Sequence, residues 1–112
     1  MAKKNKFETN AIHVGNKPDT STGSVSPPIH LTSTFVQDGV GKNKGFDYSR
    51  GTNPTRERLE KNIASLEGGY DAIAFSSGMA ATTALFQSLK QGDHVIISRN
   101  VYGGTYRMTT QI

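Results

Sequence analysis

Apolar residues are unevenly distributed along this 112-residue chain, and their distribution limits the core that it can build. Residues 1–52 show no sustained helical or strand period, whereas residues 59–112 contain nearly all the periodic segments. Hydrophobic residues make up only 34% of the sequence, so about half of the chain would have to supply the whole core. Because small domains bury little surface even when fully packed, we expect this chain to be part of a larger protein.

Charge and composition narrow the classes of function. The net charge is +4, but three of the thirteen basic residues, Lys3, Lys4 and Lys6, lie close to the N-terminus. The others are interleaved with Asp and Glu, so a solvated basic surface is favoured over a nucleic-acid groove. The sequence contains no cysteine, which excludes disulfides, thiolate catalysis and cysteine-bound metals.

The sequence predicts neither a membrane segment nor a metal site. No apolar run approaches the ~18 residues of a membrane span, and the start MAKKNKFETN lacks the apolar region of a secretion signal. The three histidines, His13, His30 and His94, share no metal-ligand spacing. We therefore expect a cytoplasmic protein without a metal.

Residues 1–53 are predicted to form an extended arm. Glycine and proline punctuate it, and Ser24 to Phe35 (SVSPPIHLTSTF) mixes polyproline-like and β-branched character. Such an arm becomes ordered by lying on another surface, or it remains a disordered tail. The sequence leaves both possibilities open.

Regular structure is predicted from residue 54 onward. A helix begins at Pro54 with Asn53 as its N-cap and stops at Gly68-Gly69. Its apolar stripe consists of Leu59, Ile63 and Leu66.

The next three segments predict one strand–helix–strand unit. Asp71–Ser77 and His94–Ser98 read as apolar strands, and the helix between Gly78 and Gly92 places Leu85 and Leu89 on its buried side. Such a unit belongs to a parallel sheet with a right-handed crossover.

A further helix is predicted from Thr105 to Ile112, and the sequence stops inside it. Residues 54–112 are therefore predicted to begin an α/β domain that the chain does not complete.

The run FDYSRGTNPTR, Phe46 to Arg56, is the first candidate site. Tyr48 and Arg50 would project from the same side of an extended segment. A phenol and a guanidinium in that arrangement suit a small oxyanion such as a phosphate monoester. The alternative is a tyrosine and an arginine on an ordinary solvated loop.

Two more candidates follow the predicted strands. Gly78 and Met79 (in SSGMA) open a helix, where free backbone N–H groups attract an anion. The motif lacks the lysine of a nucleotide P-loop, so a single phosphate is favoured over a nucleotide. A plain tight turn is the alternative.

Tyr102 (in YGGT) follows the second strand, and its ring could stack on a flat ligand. Arg107 could clamp a carboxylate, or it could be an exposed helical arginine.

Together these motifs resemble a known family. AIHVG, SPPIHLTSTF, GFDYSRGTNPTR, SSGMA and VYGGTYR have the order and spacing of the N-terminal part of the Cys/Met-metabolism pyridoxal-phosphate (PLP) enzymes. That family includes cystathionine γ-synthase, cystathionine γ- and β-lyases, methionine γ-lyase and the O-acetylhomoserine sulfhydrylases. The resemblance runs from about Thr9 onward, and the lead into GFDYSR looks most like the γ-synthase and γ-lyase branch.

The resemblance implies a type I (aspartate aminotransferase-like) fold with a mostly parallel sheet. Residues 1–53 would be its interface-forming arm, and residues 54–112 the start of its large PLP-binding domain. It also implies a homotetramer of tight dimers that exchanges or eliminates the γ (or β) substituent of an amino acid through a PLP aldimine. The substrate would be of the homoserine ester, cystathionine or cysteine type.

The resemblance also assigns roles to the candidate residues. Tyr48 and Arg50 would reach the cofactor phosphate of the neighbouring subunit, while Gly78 and Met79 would hold the phosphate of their own chain's cofactor. Tyr102 would stack on the pyridine ring and assist deprotonation or leaving-group chemistry.

Arg107 would bind the distal part of the substrate. The Schiff-base lysine of the family would lie beyond residue 112, so we expect the isolated chain to be inactive. Arg99-Asn100-Val101 departs from the family, in which an acidic residue is common. The rival hypothesis is a small non-catalytic module that binds phosphate or a partner.

Overall fold

The computed structural model describes residues 6–111, which contain four α-helices. They are α1 (Phe7–His13), α2 (Pro54–Glu67), α3 (Gly78–Gln87) and α4 (Gly103–Gln111). The chain divides into two compact units, the first ending at Ile73 and the second beginning at Ala74. Helix α1 packs on α2 in the first unit, and α3 packs on α4 in the second.

Helix α1 lies in the predicted arm and was not expected from the sequence. Its N-cap residue Lys6 makes no side-chain capping bond. Its other end is held by Asn62 of α2, whose Nδ2 donates to the carbonyls of Asn10 at 3.0 Å, Ala11 at 3.2 Å and Val14 at 2.9 Å. A helix this short is barely stable on its own. The hydrogen bonds from Asn62, a residue distant in sequence, supply the stabilisation that the residues of α1 do not.

Residues 14–53, the rest of the described arm, contain no further helix, as predicted for residues 24–35. It folds through turns and two isolated antiparallel bridges, Thr34 with Tyr48 and Gly39 with Lys42. The arm is therefore anchored at a few points and forms no regular layer.

Both ends of helix α2 lie where the sequence predicted them. The Asn53 side chain accepts a hydrogen bond from Thr55 N at 2.8 Å, and Pro54 occupies the first helical turn. Gly68 adopts the left-handed conformation (φ 66°) and its N–H donates to Ala64 O. A left-handed residue at this position suits glycine, which has no Cβ.

The predicted parallel sheet is not confirmed. Asp71–Ser77 and His94–Ser98 do not form β-strands, and no β-ladder forms within residues 6–111. A strand exists only when a neighbouring strand completes its backbone hydrogen bonds. The apolar pattern identified extended segments, but it carries no information on whether a neighbour is present.

The prediction that Leu85 and Leu89 are buried is wrong for the described chain, because they are 66% and 42% exposed. Leu59 and Ile63 of the α2 stripe are also exposed. Ala64, at 8% exposure, is the only buried hydrophobic residue in residues 6–111. Apolar helix faces need a second layer to cover them, and this part of the chain does not supply one.

Helices α3 and α4 differ from prediction at their ends. Helix α3 ends at Gln87, well before Gly92. The N–H groups of Ser88 and Leu89 donate to Leu85 O and Phe86 O, three residues back, and the Ser88 hydroxyl also donates to Leu85 O at 2.7 Å. Helix α4 begins at Gly103 instead of Thr105. Ile112, the end of the predicted helix, lies outside the described residues.

Residues 6–111 contain neither a membrane-spanning helix nor a cluster of metal ligands. No helix in this range is long and apolar enough to cross a bilayer. No group of three or more His, Asp or Glu side chains in the same range is placed to hold a metal ion.

The turn at Asp19 provides a test of the arm structure. Hydrogen bonds from the Thr22 hydroxyl and from the hydroxyl and N–H of Ser21 lower the Asp19 pKa from 3.8 to about 2. Because the folded pKa is depressed, this stabilisation is complete above pH 3.8 and is lost as the pH falls towards 2. We expect Thr22→Val to raise the Asp19 pKa, as measured by NMR titration of its carboxyl carbon. Thr20→Val is the control and should leave it unchanged, and equal pKa values in both variants would contradict this account.

Candidate functional site

Tyr48 and Arg50 lie together, but not in the predicted extended geometry. Residues 48–51 form a turn in which the N–H groups of Gly51 and Thr52 both donate to Tyr48 O at 3.0 Å. The turn brings the Arg50 guanidinium carbon to 5.0 Å from the centroid of the Tyr48 ring, a cation–π arrangement. The chain therefore presents the phenol and the guanidinium as one unit.

The segment before this turn is held by the neighbouring arm. Phe35 N donates to Asp47 O at 2.9 Å, and Ser49 N donates to Ser33 O at 2.8 Å. The rings of Phe35 and Phe46 pack with centroids 5.7 Å apart. These contacts fix the backbone on both sides of Tyr48, whose side chain remains 41% exposed.

The first turn of α2 holds the other side of the Tyr48–Gly51 turn. Asn53 Nδ2 donates to the Ser49 hydroxyl at 2.8 Å, and Arg56 Nη1 donates to Ser49 O at 2.8 Å. Arg56 Nη2 donates to Gly51 O, and Arg56 Nε pairs with Glu60 at 3.3 Å. Arg56 was not predicted as a site residue. Its position in the first turn of α2, shortly after Tyr48-Ser49-Arg50, is the sequence feature that could have indicated it.

Gly78 and Met79 begin α3 in the second compact unit. Ser77 is the N-cap, and its hydroxyl accepts from Ala80 N at 3.1 Å. Within residues 6–111 the N–H groups of Gly78 and Met79 have no acceptor. First-turn amides of this kind bind anions. The space beside Gly78 is open, because a Cβ there would meet nothing within 4 Å.

Tyr102 lies beside Met79, and Gly104 makes this possible. A Cβ on Gly104 would stand 2.7 Å from Tyr102 Cε1 and 2.8 Å from Met79 Sδ, so no larger residue fits there without movement. The Tyr102 side chain is 72% exposed and hydrogen-bonds to nothing among the described residues. The structure thus places an accessible aromatic ring next to the N-terminal turn of α3.

Arg107 extends along the first turns of α4. Its Nη1 would lie 3.6 Å from a Cβ on Gly103, and its side chain is in no ion pair among residues 6–111. Arg107 is therefore an exposed cation on the helix that begins next to Tyr102.

The second unit has two features suited to ligand binding near the start of α3. Among the described residues the amides of Gly78 and Met79 have no acceptor, and the Tyr102 ring is exposed; helix-start amides bind anions, and aromatic rings stack on flat groups. The Tyr48–Arg50 pair, a second group with anion-binding chemistry, belongs to the first unit.

Known proteins match nearly the whole chain. Cystathionine γ-synthase of Mycobacterium tuberculosis is 53% identical over 106 residues, which cover 93% of this chain and 27% of that protein. Cystathionine β-lyase of Coxiella burnetii is 47% identical over 106 residues, covering 95% of this chain and 27% of that protein. The chain therefore spans about a quarter of the length of these curated relatives.

A solved structure and a family model agree with these relatives. The crystal structure of cystathionine γ-lyase from Lactobacillus plantarum, complexed with L-serine, superimposes with a TM-score of 0.84 at 46% identity. That match covers 95% of this chain and 28% of the solved one. The family model for Cys/Met metabolism PLP-dependent enzymes matches residues 8–112. This chain therefore belongs to the Cys/Met metabolism family of PLP-dependent enzymes.

Proposed function

We propose that this chain forms the N-terminal part of a PLP-dependent transsulfuration enzyme of the cystathionine γ-synthase or γ-lyase type. The observation that carries the proposal is the accessible Tyr102 ring beside Met79, at the start of α3, in a chain that matches the family over residues 8–112. The rival proposal of an independent binding module has little support, since Ala64 alone is buried among the described hydrophobic residues.

The residues of this chain would contact two PLP molecules, one in its own site and one in the site of a neighbouring subunit. The amides of Gly78 and Met79 would bind its phosphate, and the Tyr102 ring would stack on its pyridine ring. Tyr48 and Arg50 would bind the phosphate of the cofactor in the neighbouring subunit. The chemistry that PLP supplies when bound is an electron sink for the charge left at the substrate Cα.

Tyr102 and Arg107 would act on the substrate. The Tyr102 hydroxyl would hold or move a proton at the substrate Cα or at the leaving group. Arg107, a cation without an acidic partner in residues 6–111, would bind the distal part of the substrate. The substrate would be an amino acid of the homoserine ester, cystathionine or cysteine type; the curated relatives are named as cystathionine enzymes, which supports the cystathionine type.

The arm, residues 1–53, would cover part of a neighbouring subunit in a homotetramer of tight dimers. Support comes from its exposed apolar side chains, which need a covering surface. These are Val25, Ile29, Leu31, Val36 and Val40.

Residues 54–112 would begin the PLP-binding domain. Asp71–Ser77 and His94–Ser98 would join a mostly parallel sheet whose other strands lie elsewhere in the protein. Support comes from their apolar character and from the exposure of Val95 and Ile96 in the described chain. A cytoplasmic location fits a sequence without cysteine.

The space at Gly104 gives a direct test of the ring-stacking role. In the full-length protein, Gly104→Ala should displace the Tyr102 ring and weaken PLP binding by about 3- to 10-fold. Titration of the apoprotein with PLP measures this loss. Gly103→Ala is a matched control, because its Cβ would make only an ordinary 3.6 Å contact with Arg107. Equal effects of the two substitutions would contradict the role of Tyr102.

Hybrid dimers test whether Arg50 serves the neighbouring subunit. Arg50→Ala and Tyr102→Ala oligomers should each have low activity. If Arg50 crosses the interface, a hybrid dimer carries both changes in one site and neither in the other. Mixing the two variants and letting them reassociate should therefore leave about a quarter of all sites intact and give about a quarter of the wild-type activity. Activity that stays at the level of the parent variants would show that Arg50 and Tyr102 serve the same subunit's site.

A further inference from the structure

We propose that Arg56 is a positioning residue that holds Arg50 in its phosphate-binding orientation. This inference rests on the proposed phosphate role of Tyr48 and Arg50. Arg56 lies on α2 and donates to the backbone on both sides of Arg50, at Ser49 O and Gly51 O. It would act through Arg50 without touching the cofactor.

The peptide groups around Arg50 are fixed by these bonds. Arg56 Nη1 holds the carbonyl of Ser49 at 2.8 Å, which sets the peptide plane before Arg50. The N–H of Gly51 donates to Tyr48 O at 3.0 Å, which sets the plane after it. Arg56 Nη2 holds the carbonyl of Gly51, the next plane along. Three consecutive planes are thereby constrained, and two of the constraints come from one guanidinium.

The planar guanidinium is suited to this task. Its donors form a rigid fork, so Nη1 and Nη2 can hold two carbonyls at once, whereas a lysine ammonium is a flexible point donor. Asn53, the N-cap of α2, adds a further hydrogen bond to this turn, because its Nδ2 donates to the Ser49 hydroxyl at 2.8 Å. The rigid start of α2 therefore determines where the Arg50 Cα lies.

The charges of the two arginines are used differently. Arg56 Nε pairs with Glu60 at 3.3 Å, and the two side chains are 30% and 18% exposed. Arg50 is in no ion pair among residues 6–111 and lies over the Tyr48 ring. A partly buried, paired Arg56 does not compete for an anion, while Arg50 keeps its charge available for one.

The test measures PLP affinity of the full-length protein, by titrating apoprotein with PLP, together with the melting temperature of each variant. Arg56→Ala should weaken PLP binding about 10-fold. Arg58→Ala is the control: Arg58 lies on the same helix and donates to a backbone carbonyl, Pro28 O at 2.7 Å, but does not contact the turn. It should leave PLP affinity unchanged.

A double variant separates positioning from general stability. In an Arg50→Ala background, Arg56→Ala should cause little further loss of PLP affinity, because the side chain that it positions is gone. Additive losses, or equal losses in the Arg56 and Arg58 variants, would overturn the inference. If Arg56→Ala does not fold, Arg56→Lys replaces it, and wild-type PLP affinity in that variant would overturn the inference.

The failures of the two proposals are distinguishable. If Arg50→Ala weakens PLP binding and Arg56→Ala does not, only the positioning role of Arg56 is wrong. If Arg50→Ala itself leaves PLP affinity unchanged, the phosphate role of Arg50 is wrong, and the role of Arg56 falls with it.

Discussion

The polar contacts made by the first turn of α2 are the constraint on which the first compact unit depends. Asn53 caps the helix and also donates to Ser49 Oγ and to His30 O, and Thr55 Oγ1 accepts from His30 N. Arg56 adds bonds to the Tyr48–Gly51 turn. A buried apolar core is almost absent among the described residues, so these hydrogen bonds determine where the arm and the turn lie.

The helices of this chain present apolar faces without the layer that would cover them. Leu59, Leu85 and Leu89 are all substantially exposed in residues 6–111, and so are the apolar side chains of the arm. Exposed apolar area on this scale marks surfaces that bind other protein segments. The proposed oligomer and the proposed completion of the domain account for these faces without requiring any change in the helices themselves.

The features that the sequence predicted correctly are the local ones. Asn53, Pro54 and Gly68 define the ends of α2 through bonds and backbone angles that involve only nearby residues. Strand pairing needs a neighbouring strand, and α1 needs Asn62, so neither could be read from a local pattern. The pairing of Tyr48 with Arg50 was foreseen, but its geometry was not, because Arg56 and Gly51 set the turn through contacts that periodicity does not encode.

We propose that one phosphate is bound by Gly78 and Met79 of one subunit and by Tyr48 and Arg50 of another. The most direct measurement is a crystal structure of the full-length protein with PLP bound. The N–H groups of Gly78 and Met79, and the side chains of Tyr48 and Arg50 from the adjacent subunit, should lie within hydrogen-bond distance of the same phosphate. A phosphate bound away from the start of α3, or contacted by Tyr48 and Arg50 of its own subunit, would contradict it.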